Sequence, residues 1–485
     1  MRGDAATARV SCPLRRSALA SPEAPAITGP SGTLTFRDLD RRVSAVGESI
    51  AGVGIGSGDR VALYLPKDER YIVLLLALIR SHIVACPAST RLPPAGAAPL
   101  LRKAACGVLI SEDEELLRVA EAVRKVRPEV LLEDVVDHTD TSVPLDVPLS
   151  QPATIVFTSG SSGAPKAALH TFGNHYDNAL GSNANIALGP GDRWLHSLPL
   201  YHVGGLSIMF RCLLAGATMA LPEPGASLGR AIAESGATHV SLVATQLRLL
   251  LREEDAALET LKAVLLGGGP VPGSLVEEAA SRGLPVYTSY GLTEMASQVT
   301  TTPPGATPER LRTSGQVLPH REVSISGGGE ILVRGETLFA GYVEGGAVDR
   351  PLDGEGWFHT GDIGDLGGDG YLHVRGRKDN LFVSGGENVQ PEEVEESLRG
   401  LEGVEEAIVV PLPDREFGER PVAFVRMTEG SPVQRNLAAM LEEVLPRFKV
   451  PAWFHAWPED ARQTGMKVDR AFFRELALRL ASEDG

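Results

Sequence analysis

Thr158-Ser159-Gly160-Ser161-Ser162-Gly163-Ala164-Pro165-Lys166 follows the apolar run Ala153 to Phe157, so a strand runs out into a loop where hydroxyls alternate with glycines. The glycines let the backbone come close to an anion, the N–H groups and the Ser and Thr hydroxyls supply donors, and Lys166 adds a positive charge. The stretch reads as a phosphate-gripping loop. The nucleotide-kinase pattern G-x-x-x-x-G-K-[ST] does not fit, because Pro165 stands where a glycine should precede the lysine and Ala167 follows it. A serine-hydrolase elbow, G-x-S-x-G, fails because Ala164 takes its last glycine position. A flexible Gly/Ser linker has a similar composition, but the buried-looking strand upstream and the terminal Pro-Lys weigh against it.

Outward from that loop, 485 residues exceed one typical domain, so two or more units are expected, each with its own core. Hydrophobic residues make up 43% and charged residues 22%, as in a soluble globular protein. The formal charge of −16 argues against nucleic acid or an anionic membrane as partner, so an anionic substrate must be drawn by local positive groups. Cys12, Cys86, Cys106 and Cys212 form no C-x-x-C pair, which suggests neither a zinc site nor a disulfide scaffold and fits a reducing cytoplasm. No apolar run is long enough for a transmembrane helix. Arg2, Arg9, Arg15 and Arg16 lack the apolar core of a secretory signal and read as a frayed start. Association into a homo-oligomer stays open.

Strand-like runs at Val61 to Leu65, Val108 to Ile110, Ile155 to Thr158, His239 to Val243 and Ala263 to Leu266 alternate with helical stretches. This indicates α/β architecture with doubly wound, largely parallel sheets. The glycine-rich segment Ala51 to Asp59 has no G-x-G-x-x-G frame and precedes its strand, so it is a turn. From Arg321 to Val374 short strands broken by glycine turns suggest a small β unit closing the large domain. After Gly376-Arg377-Lys378-Asp379 a compact α+β segment begins, with a helix opened by Pro391, charged by Glu392, Glu393 and Glu395 and stopped by Gly400. The expected division is residues 1–378 and a mobile unit of residues 379–485.

The loop residues resemble the T-[ST]-G-[ST]-T-G-x-P-K motif of the acyl-adenylate-forming superfamily, with Ser162 for the commoner Thr. The resemblance implies that Thr158, Ser159, Gly160, Ser161, Ser162, Gly163 and Lys166 grip the phosphates of ATP. Tyr290-Gly291-Leu292-Thr293-Glu294 resembles the Y-G-x-T-E motif, in which the aromatic stacks on adenine, Thr293 meets the α-phosphate and Glu294 helps to hold Mg²⁺, a hard cation that prefers oxygen ligands. Gly268 and Gly269, after Ala263 to Leu266, are similar to the segment lying along adenine. Asp362 in Thr360-Gly361-Asp362 would take both ribose hydroxyls, as a pair of acceptors suits a diol, and Arg377 would reach the same ribose. Lys467, in Gln463-Thr464-Gly465-Met466-Lys467, is placed like the family lysine that bridges carboxylate and α-phosphate, although Met466 departs from the family's Gly-Lys ending. Lys449 is the other nearby lysine. Asp379 matches a hinge position, and rotation there would bring Gly385 and Gly386 to a coenzyme A channel.

Pro199 to Ser207 and Tyr290 to Thr301 look like the o-succinylbenzoate:CoA ligase branch of that superfamily. The branch implies an acid site at His202, Arg211, Gly268, Ser289 and Ser297, with His202 also a catalytic or gating candidate beside Lys166, Thr293 and Lys467. Arg211 interrupts the apolar run Leu206 to Leu214, and a buried guanidinium needs an anionic or carbonyl partner. The resemblance to the branch sets Arg211 toward the aromatic carboxylate of a diacid; a salt bridge to a protein carboxylate or snorkelling to solvent is the alternative. ATP, Mg²⁺ and coenzyme A are the implied cofactor and co-substrates. Another acyl- or aryl-CoA ligase, a carrier-protein adenylating enzyme and a non-catalytic nucleotide-binding relative remain alternatives.

Overall fold

A computed structural model describes residues 8–132, 145–158, 165–253, 258–414, 417–428, 437–459, 461, 463–464 and 467–483. Two large sheets form its body. The first runs Ala347–Asp349, Gly341–Glu344, Lys166–Thr171, Pro152–Thr158, Val84–Pro87, Arg60–Tyr64, Val108–Ser111 and Arg124–Val126. Strands from Pro152–Thr158 to Arg124–Val126 are parallel, and the three on the other side are antiparallel. The second sheet is parallel from Val286–Leu292 through Ala263–Leu266, His239–Leu242, Arg193–Leu195 and Thr218–Ala220 to Pro25–Gly29, with antiparallel edge strands on both sides.

The parallel strands are continuous apolar runs because helices cover both of their faces. Glu69–Arg80, buried from Tyr71 to Ile79, joins the main core together with Phe36–Gly52 and Val203–Ala215. Phe36–Gly52 starts where Thr35 and Asp38 form a reciprocal capping box that satisfies two otherwise orphaned N–H groups. The predicted small β unit is a four-stranded antiparallel sheet of Arg321–Ile325, Glu330–Gly335, Phe358–Leu366 and Leu372–Arg377. The C-terminal unit has a five-stranded sheet with Pro391–Arg399 and Leu437–Glu442 packed into one core and Arg470–Glu483 into another. Its Val404–Asp414 and Gly418–Met427 strands form a long antiparallel ladder that pairs even their polar ends.

The frayed start is corrected over its described part. Pro13–Ala20 is a helix with Pro at its first position, and Arg15 is buried against Asp40, which Arg80 also grips at 2.6 Å. Positive charge in this stretch neutralises a buried carboxylate. Met1 to Thr7 lie outside the described residues.

Candidate active site

The Pro152–Thr158 and Lys166–Thr171 strands pair antiparallel with Thr158 opposite Lys166. Ser159 to Ala164 lie outside the described residues. Lys166 is the first residue of a strand, not the last of a loop. Tyr342 stands opposite Ala168 on the next strand, which brings its ring under the Lys166 ammonium, 4.9 Å from the ring centre.

Tyr290, Asp362 and Arg377 come together from three strands. The Tyr290 hydroxyl donates to Asp362 Oδ2 at 2.6 Å, and Arg377 Nη1 donates to Asp362 Oδ1 at 2.9 Å and to the Thr360 carbonyl at 2.9 Å. Asp362 and Arg377 are register partners, and the Thr360 hydroxyl accepts from the Asp362 N–H to shape the turn. Gly361 has φ +72° and lies where a Cβ would be 2.9 Å from Arg377 Nη2, so both conformation and space call for glycine. Burial, reinforced by Asp362, holds the Tyr290 phenol well above its usual pKa and keeps it a donor. Burial works against the Arg377 charge, but Asp362 outweighs it and the net direction is upward.

Thr293 and Glu294 open a short 3-10 turn, Thr293–Met295, after the Val286–Leu292 strand. His170 Nε2 meets the Thr293 carbonyl at 2.7 Å, and burial lowers its pKa to about 4, so it is neutral. The Tyr342 hydroxyl donates to Glu294 Oε1 at 2.5 Å. Among the described residues no three His, Cys, Asp or Glu side chains converge as a closed metal cage. A lone carboxylate one tyrosine away from Lys166 suits Mg²⁺, which keeps waters and shares substrate phosphate oxygens instead of demanding an all-protein shell.

On the acid side, Val203–Ala215 is a helix apolar almost all round, with His202 at its N-cap and Gly216, φ +67°, closing it. Ser207 and Arg211 lie one turn apart and face the Ser297–Thr301 strand. The Ser207 hydroxyl is 3.4 Å from that of Ser297, and Arg211 Nη2 donates to Gln298 Oε1 at 2.6 Å. Arg211 is 1% exposed, stacks 5.1 Å from the centre of the Trp194 ring, and its Nε has no partner. Burial lowers its pKa to about 9, which leaves it charged at neutral pH. It neither pairs with a protein carboxylate among the described residues nor reaches solvent. Tyr201 packs edge-on against His202 at 4.7 Å. Ser289 donates to the Leu266 carbonyl at 2.9 Å, beside Gly267, Gly268 (φ +83°) and Gly269.

The remaining candidates stand at or beyond the junction. Asp379 lies in the Lys378–Asn380 turn, 3.4 Å from Arg377 Nη2. Gly385 and Gly386, φ +59° and +86°, are the two turn residues of the Phe382–Ser384 to Glu387–Val389 hairpin, as a tight primed turn requires. The Lys467–Val468 strand pairs with Gln463–Thr464, Lys467 opposite Thr464. Lys449 donates to both Glu393 oxygens at 2.6 and 2.7 Å, so its charge is already paired.

Sequence reading missed Tyr342, His170, Gln298 and Arg321. Each reaches the site only through strand register or a contact more than a hundred positions distant in some cases, such as His170 with Thr293. Tyr342, a single aromatic in a short strand, carried no sequence pattern that could have marked it.

The AMP-binding enzyme family model matches residues 14–343, and the AMP-binding enzyme C-terminal domain matches residues 393–465. The chain is 32% identical over 478 residues to a 2-succinylbenzoate–CoA ligase of Bacillus pumilus, covering 94% of this chain and 96% of the relative. It is 35% identical over 448 residues to that of Salmonella typhimurium, covering 92% and 94%. An o-succinylbenzoate CoA synthetase from Bacillus subtilis, solved with the acyl-adenylate intermediate, superposes with TM-score 0.86 at 30% identity over 96% of this chain and 98% of that one. The same enzyme solved with ATP and magnesium ion gives TM-score 0.86 at 30% identity, over 96% and 99%. With both domain models matched in order and the fold shared end to end, the chain belongs to the AMP-binding enzyme family.

Proposed function

We propose that this chain is an AMP-forming acid:CoA ligase that activates o-succinylbenzoate with ATP and transfers the acyl group to coenzyme A, a step toward menaquinone. The observation that carries the acid assignment is Arg211: a buried, charged guanidinium with an unpartnered Nε and no carboxylate of its own among the described residues. Relatives named 2-succinylbenzoate–CoA ligase support the same substrate.

In the first step a carboxylate oxygen of the acid attacks the α-phosphorus of ATP, the bond to the bridging oxygen breaks, and pyrophosphate leaves. In the second the thiolate of coenzyme A attacks the acyl carbon and AMP leaves, while the thiol proton goes to solvent. Neither step needs a covalent enzyme nucleophile, so the residues work by orientation and charge. Tyr290, Asp362 and Arg377 hold adenosine, Lys166 and the Thr158 to Gly163 loop hold phosphates, and Thr293 donates to the α-phosphate. Glu294, released from Tyr342, supplies an oxygen to Mg²⁺, which offsets phosphate charge when bound. Arg211, Ser207 and Ser297 face the second carboxylate, Gly268 and Ser289 border the acyl group, and His202 gates its entrance. Residues 1–378 and 379–485 act as two bodies about Asp379: one arrangement presents Lys467 to the forming anhydride, the other presents Gly385 and Gly386 to the thiol arm.

The test is AMP release by purified protein given ATP, coenzyme A and a panel of acids. Turnover with o-succinylbenzoate is expected. Turnover of another acid with none of this one removes the substrate assignment. Lys467→Ala should lower acid-dependent pyrophosphate exchange on the order of 10²–10³-fold, the scale of one lost transition-state contact.

A further inference from the structure

A second buried guanidinium stands behind the first. Arg321 opens the Arg321–Ile325 strand, is 6% exposed, and spends its donors on main-chain carbonyls: Nε on Pro319 at 2.9 Å, Nη2 on Asn178 at 3.4 Å and Nη1 on Gln298. The Phe172–Asn185 helix has Gly181 at the crossing, where any Cβ would overlap Arg321 Nη2 and lie 2.7 Å from the Pro319 carbonyl. The fold is therefore cut to admit this side chain.

Gln298 is the junction of the two cations. Its side-chain carbonyl accepts from Arg211 at 2.6 Å, its amide donates to Thr301 Oγ1 at 2.6 Å, and its main-chain carbonyl accepts from Arg321 and from Asn178 Nδ2 at 3.0 Å. It follows Ala296 and Ser297, with φ +56° and +138°, conformations that L-residues adopt only when their surroundings impose them. Neither guanidinium has an ion-pair partner among the described residues. Asp177 and Glu336 favour the Arg321 charge from a distance, while burial and then Arg211 oppose it and its pKa falls to about 9. A core that needed only packing would be served as well by apolar side chains of similar volume, because two buried cations facing neutral oxygens are costly. An arriving anion reverses that balance.

We propose that Arg321 is a specificity-determining residue for the acid: it places a second positive charge behind Gln298 and fixes Gln298 so that Arg211 stands ready for the distal carboxylate of a dianionic substrate. This rests on the diacid reading above. Arg321 acts through Gln298 and through the field, not by touching the substrate.

The experiment compares wild type with Arg321→Gln and Arg321→Met, using o-succinylbenzoate and its analogue with the aromatic carboxylate converted to a methyl ester. Pyrophosphate release gives kcat and KM for each acid and for ATP. In either variant KM for the diacid should rise roughly ten- to a hundred-fold, the size of one charge acting at about 8–10 Å through an effective dielectric of about 20, while KM for the ester and for ATP stays within about twofold. Arg321→Gln keeps a donor for the carbonyls, so it serves if Arg321→Met does not fold. Equal losses with both acids and ATP, or unchanged discrimination, would reduce Arg321 to a structural tie and overturn the proposal. Wild-type turnover of the ester but not the diacid would remove the substrate reading, and this proposal with it.

Discussion

Tyr290 shows how one hydroxyl joins two motifs. Its bond to Asp362 at 2.6 Å orients the carboxylate whose outer lone pairs would meet a ribose diol. Hydrogen bonds to charged groups contribute about 1.5–3 kcal/mol. Arg377 still holds the other carboxylate oxygen, so Tyr290→Phe should forfeit the lower part of that range, and KM for ATP should rise roughly ten-fold with KM for the acid unchanged. An ATP titration of pyrophosphate exchange measures this. An unaltered ATP dependence would separate the Tyr290 and Asp362 contact from nucleotide binding. At this scale the motif residues were legible because each has a chemical reason to recur. Tyr342 and Arg321 were not, since a lone tyrosine or arginine at a strand position carries no pattern.

The Val286–Leu292 and Ser297–Thr301 hairpin is the element on which both halves of the site depend. Its register shifts between Tyr290 and Gly291, and past this bulge Thr293 and Glu294 meet His170 and Tyr342 while Ser297 and Gln298 meet Ser207 and Arg211. Gly291 permits this: a Cβ there would overlap the Ser297 carbonyl and stand 3.0 Å from Gln298 Cα, against backbone that cannot rotate aside. Gly291→Ala should lower stability by about 1–3 kcal/mol, the usual cost of overpacking, and adenylation should fall further than stability alone explains. Urea unfolding gives the first quantity and pyrophosphate exchange the second. Wild-type stability in this variant would mean the strands need not approach so closely.

At the scale of the whole molecule, His170, His175, His196 and His239 are buried as neutral rings. Burial depresses the pKa of His170 to about 4, of His196 to about 3, and of His175 and His239 in the same direction. The unfolded chain, with imidazoles near 6.5, binds more protons below that pH than the folded chain. Stability is therefore complete above about pH 6.5 and is lost as pH falls toward the folded values, with His170 alone contributing on the order of 3 kcal/mol to that loss. The urea midpoint should drop steeply between pH 7 and pH 4.5, and His170→Asn should make the slope shallower. A level midpoint over that range would show that these rings take up protons while folded. Two ion pairs, Arg248 with Glu406 and Arg252 with Glu405, tie the C-terminal sheet to a helix that covers the second large sheet.

The α/β class, the small antiparallel unit and the helix at Pro391 followed from the chain alone, because period and caps are local properties, and the resemblance of the motifs named the candidate residues of the nucleotide site. The tertiary structure decided what needs distant strands to meet. It gave Arg211 an amide instead of a carboxylate, set Arg321 behind it through the opening at Gly181, and turned the start of the chain into a helix whose Arg15 neutralises Asp40. The physical reason is the same in each case: what a buried charge does depends on the groups packed around it, and their order along the chain does not reveal which they are.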